Sequence, residues 1–177
     1  APLVLHANEL ILADRRRLED VAKGGPPEGG DREWLGRLAA EYRVIKDPEA
    51  LPEGDALGGV MDELLVRVDT LPLSLVLAQG AEESGWGTSR FAAEGNALFG
   101  QWTWGGEGIT PEDQRAELGD YRIAAFETPL KSIMAYLRNL NSHPAYAPLR
   151  DRRAALRLAG EKVRGYELAK TLTSYSE

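Results

Sequence analysis

An apolar run that closes on two glutamates constrains the fold of this chain more than any other stretch. Leu71 to Ala81 is almost wholly apolar. Pro72 suits the first turn of a helix, and Thr70 can cap that turn. A helix that is apolar on every side is a buried helix. The sequence therefore predicts a central buried helix, with Gly85 just beyond its C-terminal end as a stop.

The two acids at the end of this run, Glu82 and Glu83, are placed unfavourably for ionised side chains. The helix dipole puts partial negative charge at a C-terminus and disfavours further negative charge. Apolar neighbours also raise a carboxyl pKa, because they desolvate the ionised form. A carboxyl that stays protonated near neutral pH can act as a general acid. Position on the helix does not choose between the two, and solvated helix-end residues are the simpler alternative.

The segment after the acids is rich in tryptophan and glycine. Three of the four tryptophans of the chain lie here, at Trp86, Trp102 and Trp104. Aromatic faces beside a carboxylic acid suit sugar rings, and nearby glycines let the backbone approach a ligand closely. Core packing is the alternative for each tryptophan.

Two motifs in this segment resemble the glucosaminidase family of bacterial peptidoglycan hydrolases. They are A-x-E-S-x-W-G-x-S (Ala81 to Ser89) and N-x-L-F-G (Asn96 to Gly100). Downstream, Y-L-R-N-L-N-S-H-P-A-Y (Tyr136 to Tyr146) and Y-S-E (Tyr175 to Glu177) resemble the Bax-like branch of that family. The resemblance is close from Leu57 onward. It implies a catalytic domain over 57–177, with 1–56 as a helical scaffold packed on it in one compact unit.

The resemblance chooses between the acids, because the family's catalytic glutamate directly precedes serine, as Glu83 does here. A second acid is expected in the polar lobe that follows. The Bax-like branch often has an acid where this chain has Arg122, so Glu117 and Asp120 become the candidates. A substrate acetamide that replaces the second acid stays an alternative. Glu107 and Glu127 are further acids of the lobe, and water-exposed loop charges are the simpler interpretation of all four.

The resemblance also implies further site residues. Tyr175 matches the family tyrosine beside the catalytic glutamate. We expect Trp86 to lie under the acid and shield it from water, or to contact substrate. Asn96 is expected to bind sugar or to tie the loop backbone. The expected groove residues are Phe99, Trp102 and Trp104.

Composition narrows the partners. The net charge of −7 disfavours nucleic acid. Zero cysteines and two histidines make a zinc site improbable, and the expected reaction needs no cofactor. No apolar run is long enough for a transmembrane helix. The chain starts at Ala1 without Met, which suggests a processed or trimmed form. We expect a monomer in the cell envelope, periplasmic or exported, that acts on peptidoglycan glycan strands.

The fold class expected is mainly α, a lysozyme-like helical domain with one small β lobe beside the cleft. Tyr121 to Phe126 is the strand candidate, and the arginines at 15–17 and 150–157 are expected on wet helix faces. The expected function is an endo-β-N-acetylglucosaminidase that cleaves the β-1,4 bond after N-acetylglucosamine. The alternatives are a muramidase or lytic transglycosylase and, in a different class, an inactive wall-binding module.

Overall fold

The computed structural model describes residues 1–104, 108–111 and 119–172, and most of these residues are helical. The helices are α1 (Pro2–Lys23), α2 (Gly29–Glu41), α3 (Gly54–Arg67), α4 (Leu73–Glu83), α5 (Arg90–Gly95), α6 (Pro129–Ser142), α7 (Ala147–Leu158) and α8 (Gly165–Ala169). Short 3₁₀ turns lie at Pro48–Ala50 and Pro144–Tyr146. In this part of the chain, no helix combines the length and the apolar composition needed to cross a membrane.

Three short strands form the β lobe: β1 (Trp102–Thr103), β2 (Gly108–Ile109) and β3 (Arg122–Ala124). They make an antiparallel sheet in the order β1-β3-β2. The strand predicted within Tyr121 to Phe126 is therefore the central one. These elements confirm the mainly helical class with one small β lobe.

The chain divides into two compact units. The first comprises Ala1–Ala7 and Leu73–Leu137, and the second comprises Asn8–Pro72 and Arg138–Glu177. The candidate acids and the tryptophans that follow them belong to the first unit. The boundary predicted at residue 57 does not coincide with this division and stays a prediction.

Helix α4 differs from the prediction at its start and along its length. It begins at Leu73, and the Thr70 hydroxyl accepts a hydrogen bond from Arg157 Nη2 at 3.2 Å instead of capping it. Leu75 and Val76 are buried, whereas Leu77 is 41% exposed. The prediction of a helix buried on every side is wrong, because apolar composition does not report which faces meet a neighbour.

The arginines expected on wet faces are partly buried in the second unit. Arg153 is fully buried and Arg150 nearly so. Arg153 Nη2 donates to Val66 O at 2.8 Å, and its Nη1 donates to Asp69 O at 3.2 Å. Arg15 Nη1 donates to Leu65 O at 2.7 Å. These guanidinium groups satisfy carbonyls at the end of α3 and beyond it, where a helix has no internal donors left.

The buried arginines have an acidic counterpart in Asp69, which is 3% exposed. Its carboxylate accepts from Arg157 Nε at 2.5 Å and from Arg157 Nη2 at 2.7 Å, and Arg153 Nε lies 3.4 Å away. Burial lowers the pKa of Arg153 to about 10, which still leaves it charged at neutral pH. The wet-face prediction is therefore wrong for Arg150 and Arg153.

Candidate active site

Glu83 is the last residue of α4, and its carboxyl lies beside Gly100. A Cβ built on Gly100 would stand 3.6 Å from Glu83 Oε2. Gly100 has φ +55°, a backbone conformation that favours glycine. The two motifs singled out in the sequence, one ending α4 and the other ending at Gly100, therefore meet at this carboxyl.

The pKa of Glu83 is raised above its ordinary value, first by burial and then by the negative charge of Glu82. Solvent nevertheless reaches the side chain. A general acid needs this combination, because it must hold a proton and also be reachable by substrate. The predicted direction of the pKa shift is confirmed, and its source is burial together with Glu82.

The turn after α4 is fixed by the two serines of the first motif. Ser84 is buried; its Oγ donates to Gly80 O at 2.5 Å and accepts from Gly87 N at 2.8 Å. Ser89 begins α5 as its N-cap, and its Oγ accepts from Ala92 N at 3.1 Å. The motif therefore joins the helix that carries the acid to the helix that follows it.

Trp86 stands at the centre of this turn in a left-handed conformation. Its φ is 61°, and its glycine neighbours Gly85 and Gly87 have φ values of 57° and 79°. A non-glycine residue pays roughly 1–2 kcal/mol for this conformation, and strain of this kind clusters at functional sites. The side chain is 86% exposed, so the prediction that it shields Glu83 from water is wrong. Its indole is available to a ligand.

The sequence suggested that Phe99 lines a groove, but the structure places it in the core. It is only 4% exposed, and its ring stacks on Tyr136 with centroids 3.9 Å apart and 11° between planes. A Cβ on Gly80 of α4 would stand 3.3 Å from the same ring. Phe99 therefore supports the loop at Gly100 from within the core, and the groove assignment is corrected.

Asn96 ends α5 with φ 51°, and its Nδ2 donates to Phe126 O at 2.8 Å. Of its two predicted roles, the structure shows the tie to the loop backbone. Sugar binding by Asn96 stays a prediction without a contact that favours it.

Trp102 and Trp104 form an exposed aromatic pair on the β lobe. They are 42% and 63% exposed, and their rings meet edge to face with centroids 6.0 Å apart. Trp102 also packs on the buried ring of Tyr121, with ring centroids 5.0 Å apart. Their exposure confirms that they are not core residues, and sugar contact stays a prediction.

Of the two candidates for the second acid, the structure describes only Asp120. Asp120 is exposed next to β3, and Arg122 is exposed on it. Glu127 hydrogen-bonds Lys131, which lowers the pKa of Glu127 and commits it to an ion pair. Glu107, Glu117 and Tyr175 lie outside the described residues, so their roles stay predictions.

Two buried amides near Glu83 were not singled out from the sequence. The Oε1 atoms of Gln79 and Gln101 are buried, and neither has a hydrogen-bond partner among the residues that the structure describes. Gln79 lies one turn before Glu83 on α4, and Gln101 directly follows Gly100. The signal for Gln79 was its spacing from Glu83, since residues four apart on a helix share one face.

Comparisons with known proteins show the family of the chain. A family model described as mannosyl-glycoprotein endo-beta-N-acetylglucosaminidase matches residues 60–176. The chain belongs to this glucosaminidase family, which is of glycoside hydrolase type, and its mainly helical architecture is consistent with a lysozyme-like domain.

Within the family, the chain is Bax-like. It is 33% identical over 175 residues to Protein bax of Escherichia coli (strain K12), an alignment that covers 99% of this chain. The chain spans 60% of the length of that relative. No solved structure matched the chain.

Proposed function

We propose that this chain is an endo-β-N-acetylglucosaminidase that hydrolyses the β-1,4 bond after N-acetylglucosamine in peptidoglycan, with Glu83 as the general acid. The observation that carries the proposal is the Glu83 carboxyl at the meeting point of the two family motifs. Its pKa is raised by burial and by Glu82, and it remains open to solvent. Membership of a glycoside hydrolase family supports this role.

In the proposed reaction, protonated Glu83 donates its proton to the glycosidic oxygen as the bond to the sugar carbon breaks. The sugar passes through an oxocarbenium-like transition state. Glu117 or Asp120 then activates water, or the acetamide of the substrate takes the place of the second acid. Tyr175 orients the N-acetyl group, while Trp86, Trp102 and Trp104 pack on sugar faces.

The same proposal gives a location and a partner. The substrate strands lie in the cell envelope, so the protein acts there, periplasmic or exported, as a monomer. The expected partner is the glycan strand itself.

Product analysis on purified sacculi tests the proposal. New reducing N-acetylglucosamine ends are the expected result. Reducing muramic acid ends would instead indicate a muramidase, and anhydro sugars would indicate a lytic transglycosylase. Binding to sacculi without any product would favour an inactive wall-binding module, an alternative that Arg122 at the expected acid position keeps open.

A further inference from the structure

Arg122 is an exposed cation on β3, the central strand of the β lobe. In the described part of the first unit, Arg90 lies 3.7 Å from Glu94, and Lys131 pairs with Glu127. No acidic side chain described by the structure pairs with Arg122, although Asp120 stands two residues before it. Among the described residues, its guanidinium is therefore left available to an anion from outside the chain.

Gly108 of β2 lies close to the backbone of β3 and to the Cβ of this arginine. A Cβ built on Gly108 would stand 2.7 Å from Ile123 O, 2.8 Å from Arg122 Cβ and 3.0 Å from Thr103 Cγ2. Real side chains do not approach so closely, so the absence of a side chain at Gly108 leaves room for Arg122 and Thr103 on one face of the sheet.

The strand pairing connects Arg122 to the acid site. Ala124 N donates to Gln101 O at 2.7 Å, and Gln101 follows Gly100, the neighbour of the Glu83 carboxyl. Thr103, which pairs with Arg122, is three residues beyond Gly100. Three residues span at most about 11 Å even when fully extended, so Thr103 lies within about 11 Å of Gly100. Arg122 thus lies on the lobe that leads away from the acid.

We propose that Arg122 binds a carboxylate of the peptidoglycan strand and makes the enzyme prefer carboxylate-bearing glycans over neutral ones. The inference rests on the proposed function and names the charge of its substrate. A guanidinium matches a carboxylate with two parallel hydrogen bonds. A chain of net charge −7 repels an acidic polymer, and a cation with no acidic partner among the described residues offsets that repulsion locally. The carboxylate belongs either to the peptide stem or, on a muramic sugar without a stem, to the free lactyl group.

The test compares wild type with Arg122→Gln on soluble glycan strands and on the same strands after their carboxylates have been converted to amides. We expect the variant to lose about tenfold in kcat/KM on the acidic strands, mainly through KM, as fits the loss of one charge-assisted contact. On the amidated strands the kcat/KM values of wild type and variant should agree within about twofold. Arg122→Lys, which keeps the charge but not the fork, should retain part of the preference.

Arg16→Gln is the matched control, because Arg16 is an exposed arginine of α1 in the second unit and its loss changes the net charge equally. Equal losses on acidic and amidated strands, no loss on either, or the same loss in the Arg16 variant would each overturn the proposal. Strands stripped of peptide by an amidase identify the carboxylate. The amidase breaks the amide between stem and lactyl group and leaves a free lactyl carboxylate, so an effect that persists on these strands shows that Arg122 accepts the lactyl carboxylate, and one that disappears assigns the stem.

Failure of the proposed function would be visible separately. A wild-type protein that releases no product from any strand refutes the hydrolase activity. Co-sedimentation with sacculi then decides the role of Arg122 without turnover. Weaker binding of Arg122→Gln to untreated sacculi, with equal binding to amidated sacculi, supports it, and equal binding to both refutes it.

Discussion

The carboxyl of Glu83 and the α-carbon of Gly100 are neighbours: a Cβ on Gly100 would stand 3.6 Å from Glu83 Oε2. The acid comes from the end of a helix, and the glycine comes from a loop whose φ of +55° suits a residue without a side chain. Because Gly100 has no Cβ, the space beside the Glu83 carboxyl is left open.

Replacing this glycine should separate backbone strain from its effect on the acid. Gly100→Ala places a methyl group against the carboxyl and forces alanine into a left-handed conformation, which costs roughly 1–2 kcal/mol. Gly119→Ala is the matched control, since its φ is +72° and nothing lies within 4 Å of an added Cβ. We expect similar losses of unfolding free energy in denaturant titrations, and a loss of sacculus hydrolysis in Gly100→Ala alone. Equal activity in the two variants would contradict the proposed contact.

Glu83→Gln removes the transferable proton and nearly preserves the shape of the side chain. General acid catalysis is worth about 10²–10⁴-fold in rate, and we expect hydrolysis of sacculi to fall by that factor. Binding, followed by co-sedimentation, should persist. Glu82→Gln should keep most of the activity, and an inactive Glu82 variant beside an active Glu83 variant would reverse the assignment.

The dependence of the rate on pH follows from the raised pKa of Glu83. The acid donates only when protonated, so kcat/KM should be highest below this pKa and fall as pH rises through it. Glu82→Gln removes the like charge that helps raise the pKa, so the falling limb should move to lower pH. Glu94→Gln, a neutralisation on α5, should leave the limb in place. An unmoved limb in Glu82→Gln would show that another group controls the rate.

The same shift has a consequence for stability. The pKa of Glu83 is higher in the folded chain than in the unfolded chain, so its contribution to folding is present below the unfolded value and is lost as pH rises through the folded one. The difference in Tm between Glu83→Gln and wild type should therefore move in favour of the variant across that window.

The exposed tryptophans should matter for binding more than for folding. Trp104→Ala removes a ring that is 63% exposed, so we expect weaker sacculus binding and a nearly unchanged Tm. Phe99→Ala should show the opposite balance, because truncating a buried phenylalanine costs about 3–5 kcal/mol. Titration with soluble glycan strands and thermal melts of both variants measure the two effects. A large loss of Tm in Trp104→Ala would show that the ring packs as a core residue and would contradict the prediction.

Arg153 should be one of the main contributors to the stability of the second unit. Arg153→Met leaves the carbonyls of Val66 and Asp69 without its donors, and breaking a buried charged network by removing one member costs about 3–5 kcal/mol. Arg152→Met is the control, since that arginine is half exposed and meets Glu167 at 3.5 Å; its loss should cost less than about 1 kcal/mol. Equal destabilisation in urea would contradict the difference between the two sites.

Local sequence was sufficient for features that depend on neighbours in the chain. It predicted the end of α4 at its two glutamates and a strand within Tyr121 to Phe126. Each of these depends on residues within one or two turns. The raised pKa of Glu83 was predicted in direction from the helix end and its apolar neighbours, whereas the contribution of Glu82 was not.

Features that depend on distant partners were not predictable in this way. Arg153 has the periodicity of a wet residue, and its burial is made favourable by acceptors on other elements, at Val66 and Asp69 more than eighty positions earlier and at Asn141 on α6. Phe99 and Trp102 are both aromatic residues in one glycine-rich segment, yet Tyr136 on α6 stacks on the first. Trp86 was expected to shield the acid, but its exposure follows from a turn of three left-handed residues that composition alone does not specify.

The arginine contacts of Asp69 also imply an order of events during synthesis on the ribosome. Asp69 and Arg157 are 88 residues apart, so at about 5–20 residues per second the aspartate waits about 4–18 s for its partner to be translated. During that interval Arg15 can already bond Leu65 O, but water must satisfy Val66 O and Asp69 O. The loop before α4 therefore gains its contacts with the two later arginines last. A nascent chain stalled before Arg153 would carry the complete acid motif without them.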